Sequence, residues 1–445
     1  MRVVGQDGRA RAQMSGKKRV IIVGAGLSGL SAGISLRRNK VDFLILEKEM
    51  EPGGLCRSKK RGGFIFDYDG HLLHFKTAAG FKIVNGLLKG EMARFSRDAS
   101  VSFRGFDVPY PFQANLHALP ESLRLECVRG LKNRDRSLCQ GDFSSWIQAK
   151  FGAGIARHFM LPYNRKFWRY PLNRMTSSWT GSFIPVPSSK KMLSGASRAI
   201  KEPLGYNSSF WYPAAGGIDV LPRRMAGACG NILYGRHVSG IDRERRVVRT
   251  ARGEEFVYDK LISTMPLPDL GNICSGFTRE VRKSFRSLRW NSLVVFNIGF
   301  NGGPFNSRHW IYFPGKDVPF FRVGFPHTFS SCAAPRGWGS LYAEVSYAPG
   351  RKPDVKRLRR ELLDGLYRTG IFTERSRICA EDILNIQYAY PVYDHAYTAS
   401  HKLITSCLRE DGVILCGRYG GWNYFSMEDS ILDGMSAAER AVKNA

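Results

Sequence analysis

No apolar run in this chain has the length and purity of a membrane span. The longest, residues 20–36, is broken by four glycines and three serines, whereas a spanning helix needs about 20 mostly apolar residues. The nine cysteines form no Cys-x-x-Cys pair, and an odd, scattered set argues against a disulfide framework or a structural zinc. No metal site is expected, and a reducing, cytoplasmic setting is. Internal repeats and low-complexity tracts are lacking too. Residues 1–16 are polar and basic without the apolar segment of a secretory signal. They read as part of a disordered basic extension over 1–17, with Met14 an alternative start. Acidic residues are the scarcest class: 38 against 67 basic ones, for a net charge of +29.

A chain of 445 residues can bury a large core and divide into two or three domains. Its hydrophobic content of 43% and charged content of 24% are those of an ordinary globular protein. Most of the positive charge lies beyond the first nineteen residues, so it belongs to the folded body. Such a field favours anionic partners, whether nucleotide sugars, acidic lipids or nucleic acid. No basic-aromatic RNA motif or zinc-finger spacing is present, so nucleic acid is not the expected partner.

Residues 18–23 form an apolar run fit for a buried strand, 30–38 a helix, and 41–49 a second strand ending in acids, together one βαβ unit. Helical spacing of apolar residues marks 116–131 and 142–170. Between 290 and 347 four β-rich runs separated by Gly, Pro and Asn turns predict an antiparallel sheet, followed by an amphipathic helix over 354–371. The end of the chain repeats strand, glycine turn and helix, so both termini are expected to close one discontinuous Rossmann-like domain of an α/β fold.

Gly24, Gly26 and Gly29 stand in Gly-x-Gly-x-x-Gly order between the first strand and its helix. They provide a tight turn, close approach of backbone to a pyrophosphate, and close helix packing. The helix N-terminus offers N–H donors and a positive dipole end to phosphate. Glu47, 18 residues beyond Gly29, is placed to accept ribose hydroxyls.

The continuation "EKEMEPGGLCRS", with Gly54 and Arg57, resembles the element that lines the flavin in the flavin amine-oxidase and UDP-galactopyranose mutase families. That resemblance implies FAD, with His71 of "FDYDGHLLHF" beside the flavin ring and Arg418 of "GRYGG" near the flavin or pyrophosphate. The segments "VPYPFQANL", "FGAGIARHFMLPYNRKFW", "HWIYFPGKDVPFFRVG", "YAYPVYD" and "GRYGGWNY" resemble eukaryotic-type UDP-galactopyranose mutases in the same order, from about 18 to 443. The implied architecture is an FAD-binding domain built from 18–84, 206–275 and 376–445, a mostly helical domain over 85–205, and an antiparallel-sheet substrate domain over 276–375.

The same resemblance implies a nucleotide-sugar pocket. Tyr163, Asn164 and Trp168 are candidates for the uracil, Tyr110 and Gln113 for the uridine part. Arg322, Tyr312, Tyr390 and Tyr424 are candidates for the diphosphate. It implies catalysis without net redox, in which N5 of the reduced flavin is the nucleophile at the anomeric carbon while the sugar ring isomerises. His71 and Arg322 are then the catalytic candidates. NAD(P)H as external reductant and a homodimeric state stay open.

Three departures stand out. In "WTGSFIPVP", Phe183 occupies the place of a second phosphate-binding arginine, a loss expected to weaken diphosphate binding by about 1.5–3 kcal/mol. Glu428 replaces an asparagine near the last tyrosine, where a carboxylate would repel phosphate. His74 replaces a phenylalanine near the sugar, and "DGH" replaces "GGH". Either Arg169, Lys190 or Lys191 compensates for the lost arginine, or the substrate differs. The alternative to a mutase-like enzyme is an FAD-dependent oxidoreductase of the amine-oxidase or protoporphyrinogen-oxidase type acting on a substrate without UDP. A noncatalytic, polyanion-binding scaffold is the third.

Overall fold

The structure is a computed structural model that describes residues 19–443 except 182, 201, 203, 206, 304 and 352, and all but the side chain of Gln140. The basic extension expected over 1–17 lies outside the described residues. A five-stranded parallel sheet runs in the order Val413–Leu415, Lys260–Ser263, Arg19–Val23, Asp42–Leu46, Ile232–Leu233. Its central strands are almost continuously apolar because both faces are covered, as parallel sheets require. The first strand feeds the helix Leu27–Arg38, and the last helix, Met427–Lys443, packs across it. A Cβ on Gly434 would stand 2.2 Å from the Ser28 carbonyl oxygen, and the Ser31 hydroxyl donates to Ile431 O at 2.7 Å. The chain's two ends are thus joined at a backbone-to-backbone approach that only small residues permit.

A seven-stranded sheet forms the second layer, in the order Arg377–Val392, Arg289–Asn301, Gly339–Tyr347, Arg322–Gly324, Trp310–Tyr312, Ala99–Phe103, Phe106–Pro109. All its pairs are antiparallel except Trp310–Tyr312 with Ala99–Phe103. Period-2 alternation divides its faces. Val294, Phe296, Ile298, Val323 and Leu341 pack under Leu362 and Leu366 of the helix Val355–Arg368. Leu293, Val295, Tyr312 and Phe321 instead join the main core beside the cavity described below.

The stretch 85–205 is less helical than its sequence suggests. It holds the strands Met92–Ser96, Ala99–Phe103 and Phe106–Pro109 before its first long helix. The last two join at Arg104–Gly105, both with positive φ (52° and 83°), as a two-residue hairpin turn demands. Segment 376–445 is also divided, since Arg377–Val392 edges the seven-stranded sheet. Helices Glu121–Lys132, Phe143–Ile155 and Leu161–Trp168 follow, with a π turn at Ala156–Met160 that offsets the face of the last one.

Replacing Gly434 with leucine drives a side chain into the Ser28 carbonyl and is expected to cost about 1–3 kcal/mol. Gly227, in the helix Val220–Cys229, has nothing within 4 Å of an added Cβ. Gly227→Ala is therefore expected to be neutral or to stabilise by up to about 1 kcal/mol. Urea unfolding of the two variants checks both signs.

Candidate functional site

One cavity of about 1060 Å³ reaches from the glycine turn after the first strand to the cavity-facing side of the seven-stranded sheet. At its nucleotide end the backbone turns at Gly24, whose φ is +98°. A Cβ on Gly29 would lie 2.0 Å from Gly24 O, while one on Gly26 would meet nothing within 4 Å. The first contact explains the close-packed turn; the second leaves a cradle for another molecule's backbone-sized groups. Helix Leu27–Arg38 begins at Gly26 with no side-chain cap and no acid in its first turn, so its dipole end is left for an anion. Glu47 is 5% exposed; it accepts the Ala25 N–H at 2.6 Å and the Glu49 N–H at 2.9 Å. These bonds aim its carboxylate at the turn. Arg57 donates to Gly54 O at 2.8 Å and lies over the Tyr68 ring at 4.7 Å.

Farther along the same cavity, Arg418 is a half-buried cation held by carbonyls rather than carboxylates. It donates to Ala389 O at 2.8 Å and Phe425 O at 3.0 Å, among the rings of Tyr390, Tyr419 and Tyr424. Its Nε has no partner among the described residues. A half-buried, under-satisfied guanidinium of this kind suits an electron-rich or anionic group. His71 also lines the cavity. Its Nδ1 lies 3.1 Å from Asp69 O, and since a carbonyl can only accept, Nδ1 carries the proton and Nε2 the lone pair. Burial pushes its pKa down, so the ring is neutral near pH 7. The glycine cradle, Glu47 and the Arg418 cation together fit a flavin dinucleotide; Gly24, Gly26, Glu47, Gly54, Arg57, His71 and Arg418 all line the cavity that would hold it.

The far end is set by sheet register. Tyr312 pairs with Arg322, and Arg322 with Glu344, so the three form one cross-strand row on the cavity-facing side. Arg322 grips Glu344 with two donors, Nη2 to Oε1 at 2.9 Å and Nε to Oε2. Its Nη1 has no hydrogen-bond partner among the described residues. Glu344 is 0% exposed; burial, with Asp69 adding to it, works against ionisation of its carboxyl, and the Arg322 guanidinium works for it.

Around this row the rings of Tyr110 and Tyr312 lie 4.9 Å apart, Tyr163 and Tyr312 5.5 Å, and Tyr390 and Tyr424 5.3 Å. Burial raises the phenols of Tyr110, Tyr163, Tyr390 and Tyr424, which keeps them O–H donors. Gln113 donates to Pro185 O at 2.6 Å and leaves a buried Oε1 without a partner among the described residues. Asn164 lines the cavity while donating back to Met160 O at 2.8 Å.

Two candidates lie elsewhere. Trp168 is fully buried behind Phe167 and Trp179 and is not among the residues lining the cavity. Glu428 is turned away: it accepts from Lys76 N, Thr77 N and Thr77 Oγ1 at 2.6, 3.0 and 2.6 Å, anchoring the start of helix Ala78–Leu87. It therefore does not face a phosphate as expected. Phe183 does line the cavity, 4.3 Å edge-on from Tyr424, with the Lys76 ammonium 4.9 Å over its ring. Arg169, Lys190 and Lys191 are not among the cavity-lining residues; Arg169 lies in a separate cleft and Lys191 pairs with Glu202. Sequence reasoning missed Glu344 and Asp69, although an acid inside the apolar run "SLYAEVSY" was a visible signal.

Residues 27–442 match the flavin containing amine oxidoreductase family, and the chain belongs to it. The fold is similar to that of a reduced UDP-galactopyranose mutase, with 26% identity, 96% of each chain covered and a TM-score of 0.91. A fatty acid isomerase from P. acnes (14% identity, 96% and 99% covered, TM-score 0.67) and a putrescine oxidase (15%, 96% and 99%, 0.66) share the fold. Two curated relatives match locally. An uncharacterized monooxygenase of Sinorhizobium fredii is 37% identical over 62 residues, 14% of this chain and 9% of its own length. An uncharacterized protein of Methanothermococcus thermolithotrophicus is 38% identical over 55 residues, 12% and 53%. The chain thus spans about a tenth and about half of those relatives. Membership of that family makes it a flavin enzyme. Among the described residues no helix is long and apolar enough to cross a membrane.

His74 lines the cavity with its pKa pushed down to about 4 by burial. Because the unfolded imidazole titrates near 6.5, the unfolded chain binds more protons between pH 6.5 and 4, and His74 makes the fold less stable as pH falls through that window. The size is of the order of 3 kcal/mol. The difference in thermal stability between the unaltered protein and His74→Phe should therefore widen on acidification and level off below pH 4. A pH-independent difference would show that the ring titrates in the fold as it does in the unfolded chain.

Proposed function

We propose that the protein is a UDP-galactopyranose mutase-like enzyme that isomerises a nucleotide sugar without net redox. The observation that carries this is the single cavity in which a dinucleotide cradle and Arg418 lie next to a tyrosine-lined row around Arg322. The likeness to a reduced mutase at 26% identity over nearly the whole chain supports it. A reduced flavin bound in the cradle would supply the nucleophile for the sugar's anomeric carbon.

The chain's own residues have the remaining tasks. Tyr110, Gln113, Tyr163 and Asn164 would orient the nucleoside, Gln113 through its unpaired Oε1. Tyr312, Tyr390 and Tyr424 would donate O–H groups to the diphosphate as negative charge develops on it, beside the free Nη1 of Arg322. Glu344 holds that guanidinium in one orientation, which lowers the cost of ordering it at the moment of reaction. The neutral His71 would present Nε2 near the flavin ring without adding a charge that competes with Arg418. The aromatic packing around Phe183 and Tyr424 excludes water from the leaving group.

A second reading, an FAD-dependent oxidoreductase on a substrate without UDP, is favoured by one feature. Phe183 puts an apolar ring where a diphosphate wants a cation, and Glu344 offsets the charge of Arg322.

Incubating the dithionite-reduced enzyme with UDP-galactofuranose should yield UDP-galactopyranose with no change in flavin oxidation state. Anaerobic bleaching of oxidised flavin by a non-nucleotide substrate, with no isomerisation, would favour the oxidoreductase instead. Arg322→Ala, combined with Glu344→Gln so that no carboxylate is left buried alone, should weaken UDP at least about tenfold with the flavin spectrum intact. Phe183→Arg should tighten UDP by roughly ten- to a hundredfold. Unchanged affinity in both would remove the diphosphate from this end of the cavity.

A further inference from the structure

A second basic recess lies outside the catalytic cavity. Arg165, Arg169, Tyr170, Tyr347 and Arg351 line an open cleft of about 520 Å³, and no carboxylate among the described residues lines it. The three arginines are exposed, and none makes an ion pair among the described residues. Elsewhere on this surface arginines find acids: Arg157 with Glu126, Arg308 with Asp98, Arg359 with Glu381. Arg174 and Arg289 also act electrostatically on Tyr170, and so does the acid Asp394, which accepts the Tyr170 hydroxyl at 3.2 Å.

Local structure explains only part of this gathering. Arg165 and Arg169 ride helix Leu161–Trp168 to its C-terminal end, where the macrodipole favours cations. Arg351 arrives from the loop after strand Gly339–Tyr347, with no helix end to draw it there. Arg169 also occupies the left-handed C-cap, at φ 52°, where glycine or asparagine would cost less. The chain thus keeps a guanidinium in the cleft despite both repulsion and conformational cost.

We propose that this cleft is a second anion site, taking a ligand that carries phosphate groups. Three forked donors from two chain segments can bind several oxygens of one multivalent anion, which relieves their mutual repulsion. A monovalent anion would leave most of that repulsion in place. The site lies on the reverse side of the helix whose Tyr163, Asn164 and Phe167 line the catalytic cavity. The phosphate belongs either to a soluble diphosphate-like molecule or to a lipid headgroup.

Calorimetric titration of the flavin-loaded protein with inorganic pyrophosphate tests it. Binding is expected to weaken about tenfold or more in Arg165→Ala/Arg169→Ala/Arg351→Ala, whose flavin spectrum and melting temperature stay unchanged because the three side chains are exposed. Sedimentation with phosphatidic-acid vesicles, but not with phosphatidylcholine vesicles, lost in the triple variant, would support the site and assign the phosphate to a lipid. Pyrophosphate binding without vesicle binding would support it and assign a soluble ligand. The proposal is overturned if neither probe binds, or if both bind the triple variant as tightly as the unaltered protein. It is overturned too if pyrophosphate binding survives in the triple variant and disappears in Arg322→Ala/Glu344→Gln, since that heat belongs to the catalytic cavity.

Discussion

Arg322 and Glu344 face each other across adjacent strands, and the position of most of the cavity's far end follows from that pairing. Taking two charges out of water costs several kcal/mol per ion, and only good geometry repays it. The two-donor contact supplies that geometry, and strand register supplies the distance without further ordering. Tyr312 is fixed by the same register, one strand over. A slip of one residue would send all three side chains to the opposite face, under the helix Val355–Arg368, where Ile311 and Val323 now pack. The apolar outer face of the sheet therefore holds the polar inner face in place.

The nucleotide end is built differently. There the constraint is steric: the close approach of Gly29 to Gly24 and of Gly434 to Ser28 leaves no volume for side chains. These contacts bring the last helix onto the first and set Arg418, in the turn before that helix, against the cavity. Because Arg418 is satisfied by backbone carbonyls, its charge is not cancelled as that of Arg322 is. Of the two guanidinium groups that meet the tyrosines, Arg322 is thus paired with a carboxylate and Arg418 is not. The uncompensated one lies at the junction between the cofactor cradle and the tyrosines.

Much of this was legible in the sequence, for identifiable reasons. The glycine spacing, Glu47 and the strand-helix-strand order are local signals, and each has a geometric cause that survives any tertiary context. β-rich runs such as "SLVVFNIGF" and "SLYAEVSY", set apart by Gly, Pro and Asn turns, marked the antiparallel sheet. The hairpin across Arg104–Gly105 was missed because its strands are four and five residues long and lie inside a segment dominated by helical periodicity. Glu428 was misplaced because spacing along a chain says nothing of which way a side chain turns. A carboxylate two residues into a helix can serve that helix, a ligand, or, as here, the N-terminus of a neighbouring one. Trp168 was misplaced for the opposite reason: its helix does line the cavity, but on the face of Tyr163, Asn164 and Phe167.

Phe183 bears most directly on chemistry. An arginine there would sit beside Tyr424, adding a cation next to Arg418, whose guanidinium lies 5.2 Å from the Tyr424 ring. With two uncompensated cations around one ring, an unliganded cavity would carry repulsion that a bound polyanion would relieve. Phenylalanine avoids that repulsion and, under the proposed function, would lower the affinity for a doubly charged leaving group. The ring also receives the Lys76 ammonium over its face at 4.9 Å, so positive charge persists near the site, at one remove and partly balanced by Asp429. The cavity is therefore tuned to weaker electrostatic grip and stronger aromatic contact. Under the proposed function, selectivity among anionic substrates would then depend more on the shape of the group held between Tyr110, Tyr163 and Tyr312 than on the number of its phosphates.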